Sequence, residues 1–187
     1  DGLKEIDESV AKALASFKGA ALSFNALQEI DESIASAFAL YKSKNISLDG
    51  LEQIDESVAK ALASFKGEGL SLNGLKYLNK SVAQILFKNF SLSLNGLQEL
   101  NEDLAKVLGE RKGKILALDG IKQIDEVTAK ALSSFQGSAL YLNGLEQIDE
   151  AIAKFLARIK VQWLCLSGLE QINEATATVL VSFQGNS

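Results

Sequence analysis

The chain has 187 residues, of which 47% are apolar, enough for the core of an ordinary folded domain. Its 19 basic and 24 acidic residues give a net charge of −5 and are spread evenly along the sequence without a basic stripe, so we expect no nucleic-acid partner. No apolar run approaches the ~20 residues of a membrane helix, so we expect no membrane insertion.

The residue content also disfavours the common catalytic and metal chemistries. The one cysteine, Cys165, has no second cysteine to pair with, and the chain contains no histidine. A cysteine nucleophile needs a base, zinc needs nitrogen or sulfur ligands, and no glycine-rich phosphate loop is present. We therefore expect no enzyme, no metal and no cofactor. The compartment stays open, with a secreted or cell-surface location favoured.

In chain order the first element is a helix that no strand precedes. Asp1 to Ala21 match the repeated unit that follows, except that they lack its leading strand. A strand, a turn and a helix then recur every 24 residues, apart from one step of 22 residues. The first strand leucine or isoleucine of successive copies is Leu22, Ile46, Leu70, Leu92, Leu116, Leu140 and Leu164.

Each copy opens with a short strand that has one buried face. Leu70 and Leu72 point to one side, and the residue between them points to the other. The strand ends at a turn such as Asn73-Gly74, where glycine tolerates a positive φ. We expect turn-stabilising hydrogen bonds from the polar turn residues, because mostly neutral side chains make a weak calcium site. This row comprises Asn25, Asp49, Asn73, Asn95, Asp119, Asn143 and Ser167.

A helix of about ten residues follows each turn. Within one copy, Val58, Leu62 and Phe65 form an apolar stripe, and Gly67 ends the unit. A residue suited to N-capping precedes every helix. These residues are Asp7, Asp31, Asp55, Asn79, Asn101, Asp125, Asp149 and Asn173.

An alanine recurs at one helical position, where it lets adjacent helices approach each other. Larger side chains such as Ile85 and Phe155 occur on the opposite flank of some helices and are suited to fill the groove beside a neighbour's alanine. The recurring alanines are Ala11, Ala35, Ala59, Ala83, Ala105, Ala129, Ala153 and Ala177.

One strand and one helix cannot bury their own apolar faces, but stacked copies share a core. Packed strands lie roughly 4.8 Å apart and packed helices about 8–10 Å apart, so the helices are expected on the outside of a bend. The sequence therefore predicts an α/β solenoid with a parallel sheet on its concave face and short helices on its convex face. We expect residues 1–187 to form a single solenoid domain of about eight copies, cut from a longer array.

The repeated pattern L-x-L-x-G-L-x-x-I-D-E-x-V-A-x-A-L resembles leucine-rich repeats, specifically a short variant found in bacterial proteins. The resemblance covers the whole chain. The usual buried asparagine, three residues after the second strand leucine, is replaced by leucine, as at Leu51 and Leu75. The resemblance implies a role in binding or scaffolding.

The exposed strand positions differ between copies in a way that repeat stability does not explain. They are small or polar in the first half of the chain and become apolar and aromatic in the second half. Clusters of exposed aromatic and aliphatic residues are typical of contact hot spots. The alternative is that these residues pack on a missing C-terminal repeat, on a loop or on nothing specific. The expected site comprises Trp163, Tyr141, Ile115, Cys165 and Asn143.

These patterns favour a non-enzymatic protein-protein recognition module or scaffold that presents its concave face. Two alternatives stay open, a structural array that builds a surface or filament and a module that binds glycans through Trp163 and Tyr141. Neither end of the chain shows a polar capping repeat, so we also expect head-to-tail self-association.

Overall fold

The computed structural model describes residues 2–42, 44–86 and 90–185, in which strands and helices alternate. Seven strands form one parallel sheet in the order of the sequence. The strands are β1 Ala21–Ser23, β2 Asn45–Ser47, β3 Gly69–Ser71, β4 Ser91–Ser93, β5 Ile115–Ala117, β6 Ala139–Tyr141 and β7 Trp163–Cys165. The helices are α1 Glu8–Ala15, α2 Glu32–Ala39, α3 Glu56–Leu62, α4 Lys80–Ile85, α5 Glu102–Gly109, α6 Glu126–Leu132, α7 Glu150–Leu156 and α8 Glu174–Leu180.

The strands lie where the repeated leucines predicted them. The first leucine or isoleucine of each copy is the middle strand residue, and it pairs with its counterpart in the neighbouring strand, as Leu70 does with Leu92. The second leucine, such as Leu72, follows the strand directly and is also buried. No strand precedes α1 within residues 2–7, as expected for the first copy.

All eight predicted N-caps are confirmed. In each, the side-chain oxygen accepts the backbone amide three residues later, for example from Val58 to Asp55 at 2.8 Å. This amide, together with the Ser57 hydroxyl, holds the pKa of Asp55 below its usual value. Capping thus fixes where every described helix begins.

The helices are shorter than the expected ten residues, at six to eight. After α3 the chain tightens, because Ser64 and Phe65 donate to the carbonyls of Ala61 and Leu62, three residues back. Phe65 therefore completes the apolar stripe from a tight turn beyond the helix. Among the described residues no helix is long and apolar enough to cross a membrane.

A continuous core lies between the sheet and the helices, with buried side chains from Ala11 to Val161 in one cluster. The recurring alanines are fully buried from Ala11 to Ala153, whereas Ala177 in α8, which no further helix covers, is only partly buried. This position therefore faces the following copy, as the sequence predicted.

The glycine that closes several copies makes room for an aromatic ring. A Cβ atom on Gly67 would stand 2.1 Å from Cζ of Phe65, and one on Gly137 would stand 2.4 Å from Cζ of Phe135. Where the ring is replaced by Ile159, the glycine position is occupied by the buried Val161. The two positions therefore vary together to fill the same volume.

The turn glycines have a different role from the one that the sequence predicted. Among the described residues no glycine adopts a positive φ. Instead, a Cβ atom on Gly120 would stand 2.2 Å from the carbonyl oxygen of Asn95 and 2.4 Å from that of Leu97, both in the preceding copy. These glycines are required by the close approach of successive backbones.

The fold also corrects the expectation that charge is spread evenly. The carboxyl edge of the sheet carries the strand-to-helix segments, and the opposite amino edge carries the helix-to-strand segments. Only two of the 24 acidic residues of the chain, Glu68 and Glu110, fall between a helix and the following strand. Stacking the copies thus sorts the charges onto two edges, although they alternate along the sequence.

Candidate binding surface

The candidate site lies on the face of the sheet that points away from the helices. The first and third residues of each strand reach this face, while the middle residue is directed into the core. The register aligns these residues in two rows across the strands. The first-residue row is Ala21, Asn45, Gly69, Ser91, Ile115, Ala139 and Trp163, and the third-residue row is Ser23, Ser47, Ser71, Ser93, Ala117, Tyr141 and Cys165.

The aromatic part of this face lies on β6 and β7. Trp163 is 60% exposed and pairs with Ala139, while Tyr141 pairs with Cys165. Trp163 and Tyr141 are thus diagonal neighbours on adjacent strands, within reach of aromatic side chains. Ile115 pairs with the other side of Ala139, two strands from Trp163. The fold brings these four predicted residues into one region of the sheet face.

The fifth predicted residue, Asn143, lies at the border of this region and has a structural function. Its Oδ1 accepts the backbone N–H of Ser167 at 3.1 Å and the Ser167 hydroxyl at 2.8 Å. The same bond recurs in earlier copies, since Asn73 Oδ1 accepts the N–H of Asn95 at 2.8 Å. The turn residues thus form a ladder in which each side chain holds the backbone of the next copy, which confirms the predicted hydrogen bonds.

The small polar part of the face, on β1 to β4, is less polar than its sequence suggests. The hydroxyls of Ser47 and Ser93 donate to Asn25 Oδ1 and Asn73 Oδ1 of the preceding copies, at 2.6 and 2.7 Å. Their donor hydrogens are therefore directed into the ladder rather than toward a ligand. A shallow hollow of about 300 Å³ runs over this part of the sheet and reaches Ile115 and Ala117.

Cys165 is partly buried beside the aromatic region. Desolvation, followed by the charge of Asp119, raises the pKa of its thiol above the ordinary value. A thiol with a raised pKa holds less thiolate at neutral pH and is a weaker nucleophile. This fits the interpretation of Cys165 as a small contact residue.

Sequence reasoning missed the buried cation Arg111. It occupies the position that Phe65 and Phe135 hold in other copies, and it is only 2% exposed. Its guanidinium donates to the carbonyl of Ile115 at 3.1 Å and to that of Phe90, whose ring centroid lies 5.8 Å away. Burial lowers its pKa to about 10, so it stays charged at neutral pH. Arg111 thus links the segment that precedes β4 to the first residue of β5.

A cleft of about 570 Å³ also escaped the sequence analysis. It lies at the amino edge of the sheet between the ends of α2 and α3, away from Trp163. Its walls include Ala39, Ala61 and Leu40, which is 69% exposed, and Lys42 and Lys66 also line it. Ala61 leaves open the space that a larger side chain at the same repeat position, such as Ile85 or Phe155, takes up in other copies.

Within the described ranges, no group of three or more His, Cys, Asp or Glu side chains is placed to hold a metal ion. Comparison with protein-family models and with curated proteins finds no match to this chain.

Proposed function

We propose that the chain is a non-enzymatic recognition module that binds a partner protein on the exposed face of its sheet. The architecture is that of a curved solenoid similar to leucine-rich repeats, with this face on the concave side. The curvature follows from the smaller spacing of strands than of packed helices. The parallel sheet, with a helix after every strand, supports this proposal.

The observation that carries the proposal is the exposure of Trp163 on β7, the last strand of the sheet. Its 60% exposure on a paired strand, beside Tyr141 and Cys165, leaves a large apolar side chain available to a partner. Tryptophan and tyrosine contribute most to binding where a partner removes them from water. The hollow over β1 to β5 continues from this region and provides a shallow seat for an extended segment.

The experiment uses Trp163 as its own probe, since it is the only tryptophan of the chain. Peptides selected against the chain from a displayed random library are titrated while tryptophan fluorescence is followed. We expect a saturable change, and we expect Trp163→Ala and Tyr141→Ala to weaken binding about tenfold or more, measured by anisotropy of a labelled peptide.

The matched control is Tyr77→Ala, because Tyr77 is 84% exposed but lies on the carboxyl edge rather than on the sheet face. Its affinity should equal that of the unchanged chain. Peptides that bind equally well to the Trp163 and Tyr141 variants would refute the site. Binding of sugars but not peptides, abolished by Trp163→Ala, would instead establish the glycan-binding alternative.

A further inference from the structure

The two edges of the sheet carry opposite charge. On the amino edge, eight exposed cations of the described residues stand against two exposed carboxylates, Glu68 and Glu110. The carboxyl edge and the first two residues of each helix hold the other acidic residues that the structure describes. The eight cations are Lys18, Lys42, Lys44, Lys66, Lys112, Lys114, Arg158 and Lys160.

Most of these cations have no carboxylate of the described residues beside them. Lys44 lies 3.7 Å from Glu68, and for the seven others no carboxylate oxygen within the described residues comes within 4.0 Å. Five or more like charges in a row repel each other, so the amino edge is stabilised by any anionic row of matching spacing.

Helix dipoles do not account for this arrangement. A cation favours the last turn of a helix, as Lys12 and Lys60 show in α1 and α3. Lys66 lies four residues beyond the end of α3, and Lys160 lies four residues beyond the end of α7. The dipole effect is confined to the terminal turn, so the amino-edge lysines are placed for another reason.

The spacing of the cations is fixed by the stack. Lys112 pairs with Gln136, which in turn pairs with Lys160, in parallel bridges. Equivalent positions in neighbouring copies are therefore separated by the strand spacing of roughly 4.8 Å. On the carboxyl edge an acidic residue follows every strand except β3, whose segment carries Lys76 instead. Apart from that segment, the carboxyl edge of a second molecule has the sign opposite to that of the amino edge, with the same spacing between copies.

We propose that the chain associates edge to edge with a second copy of itself, the amino edge of one molecule resting on the carboxyl edge of the next. A displacement along the strand direction, combined with a shift of one copy, brings the segments of Lys42 and Lys66 opposite those of Glu29 and Glu52. This contact is heterologous, so it adds molecules in an open row. It leaves the sheet face of every molecule uncovered and does not depend on the peptide-binding proposal.

A second copy fits this edge better than a polyanion or an anionic bilayer does. The molecule has a net charge of −5 and is repelled as a whole by either of those partners. Another copy has the same net charge but can approach with its acidic edge first, which turns the interaction attractive at short range.

Sedimentation velocity of the full chain at pH 7 tests the proposal. In about 20 mM NaCl we expect the average sedimentation coefficient to rise with protein concentration. In about 500 mM NaCl the screening length falls from roughly 20 Å to roughly 4 Å, and we expect monomers. An amino-edge variant, Lys42→Glu with Lys66→Glu, Lys112→Glu and Lys160→Glu, should associate at least about tenfold more weakly.

A control variant carries the same change in net charge on the outer face of the helices, as Lys12→Glu with Lys60→Glu, Lys130→Glu and Lys154→Glu. It should retain more association than the amino-edge variant at equal ionic strength. A carboxyl-edge variant, Glu29→Lys with Glu52→Lys, Glu99→Lys and Glu146→Lys, should fail to associate alone. Mixed with the amino-edge variant, it should restore association, since each supplies the edge that the other lacks.

A monomeric chain in low salt would overturn the proposal, as would association that persists in 500 mM NaCl or that both lysine variants weaken equally. Retention on heparin or on phosphatidylserine vesicles that the amino-edge variant loses, with self-association unchanged, would assign the edge to a polyanion or a bilayer instead. Circular dichroism of each variant confirms that it is folded before its association is compared.

Discussion

At the scale of single residues, the repeat positions carry most of the information that specifies the fold. The capping residues could be predicted because Asp or Asn directly before a helical pattern of apolar residues is typically an N-cap. The turn glycines could be located but not explained, since the carbonyl that excludes a Cβ atom at Gly120 belongs to the preceding copy. Arg111 could not be interpreted either, because its acceptor Phe90 lies in the preceding copy and becomes a neighbour only when the copies stack.

The turn glycines give a direct test of backbone approach. Gly120→Ala places a Cβ atom against two carbonyl oxygens of the preceding copy, so we expect the free energy of unfolding to fall by about 1–3 kcal/mol. At the equivalent position in the first copy, the new Cβ atom of Gly2→Ala meets no atom within 4 Å. This substitution should change the free energy of unfolding by less than about 0.5 kcal/mol. Urea unfolding of both variants measures the difference, and equal values would contradict this explanation.

At the scale of elements, the strands and helices follow from the sequence, whereas the helix lengths do not. The apolar stripe of α3 continues to Phe65, but the last part of the stripe lies in a turn of three-residue hydrogen bonds. Periodicity alone does not distinguish these two geometries over so few residues. The packing of neighbouring helices was predictable because the recurring alanine directly follows the buried valine or isoleucine. It therefore lies about 100° around the helix from the side that faces the sheet.

The alanine row allows a prediction about helix packing. Ala105 is fully buried between α5 and its successor, so Ala105→Leu should overpack the contact and cost about 1–3 kcal/mol of stability. Ala177→Leu changes the same repeat position in α8, where no following helix lies against it, and should cost less. Thermal melts of the two variants provide the comparison; an unaltered melting temperature for Ala105→Leu would refute this placement.

At the scale of the whole molecule, the sequence predicts the order of the sheet but hides how charge is distributed. The aromatic region was predictable because strand alternation places Trp163 and Tyr141 on one face, and the parallel register makes them neighbours. The sorting of charge was not recognised, because Asp, Glu and Lys alternate every few residues along the chain. Their separation becomes visible only when each segment is assigned to an edge.

The stack also predicts where the molecule opens first. The first and last copies have one neighbour each, and Val10 in α1 is 40% exposed whereas its counterpart Ile34 in α2 is 8% exposed. We expect amide hydrogen exchange to be fastest in α1 and α8 and slowest in β3, β4 and β5. Exchange followed by mass spectrometry of peptides resolves this gradient, and uniform protection from α1 to α8 would contradict it.

The ladder of turn residues has a consequence for how such a chain can grow. Each copy supplies a side-chain oxygen that accepts a backbone amide of the next copy, and a turn glycine that leaves room for carbonyl oxygens of the preceding copy. Duplicating a 24-residue unit therefore adds a layer that fits both of its neighbours. Ala26 is the exception, since it carries a methyl group where Gly50 and Gly74 have none. If the unit that begins with β1 were duplicated, the methyl group of the second Ala26 would lie against carbonyl oxygens of the copy before it. Elongation by whole units is therefore confined to the copies that follow β1.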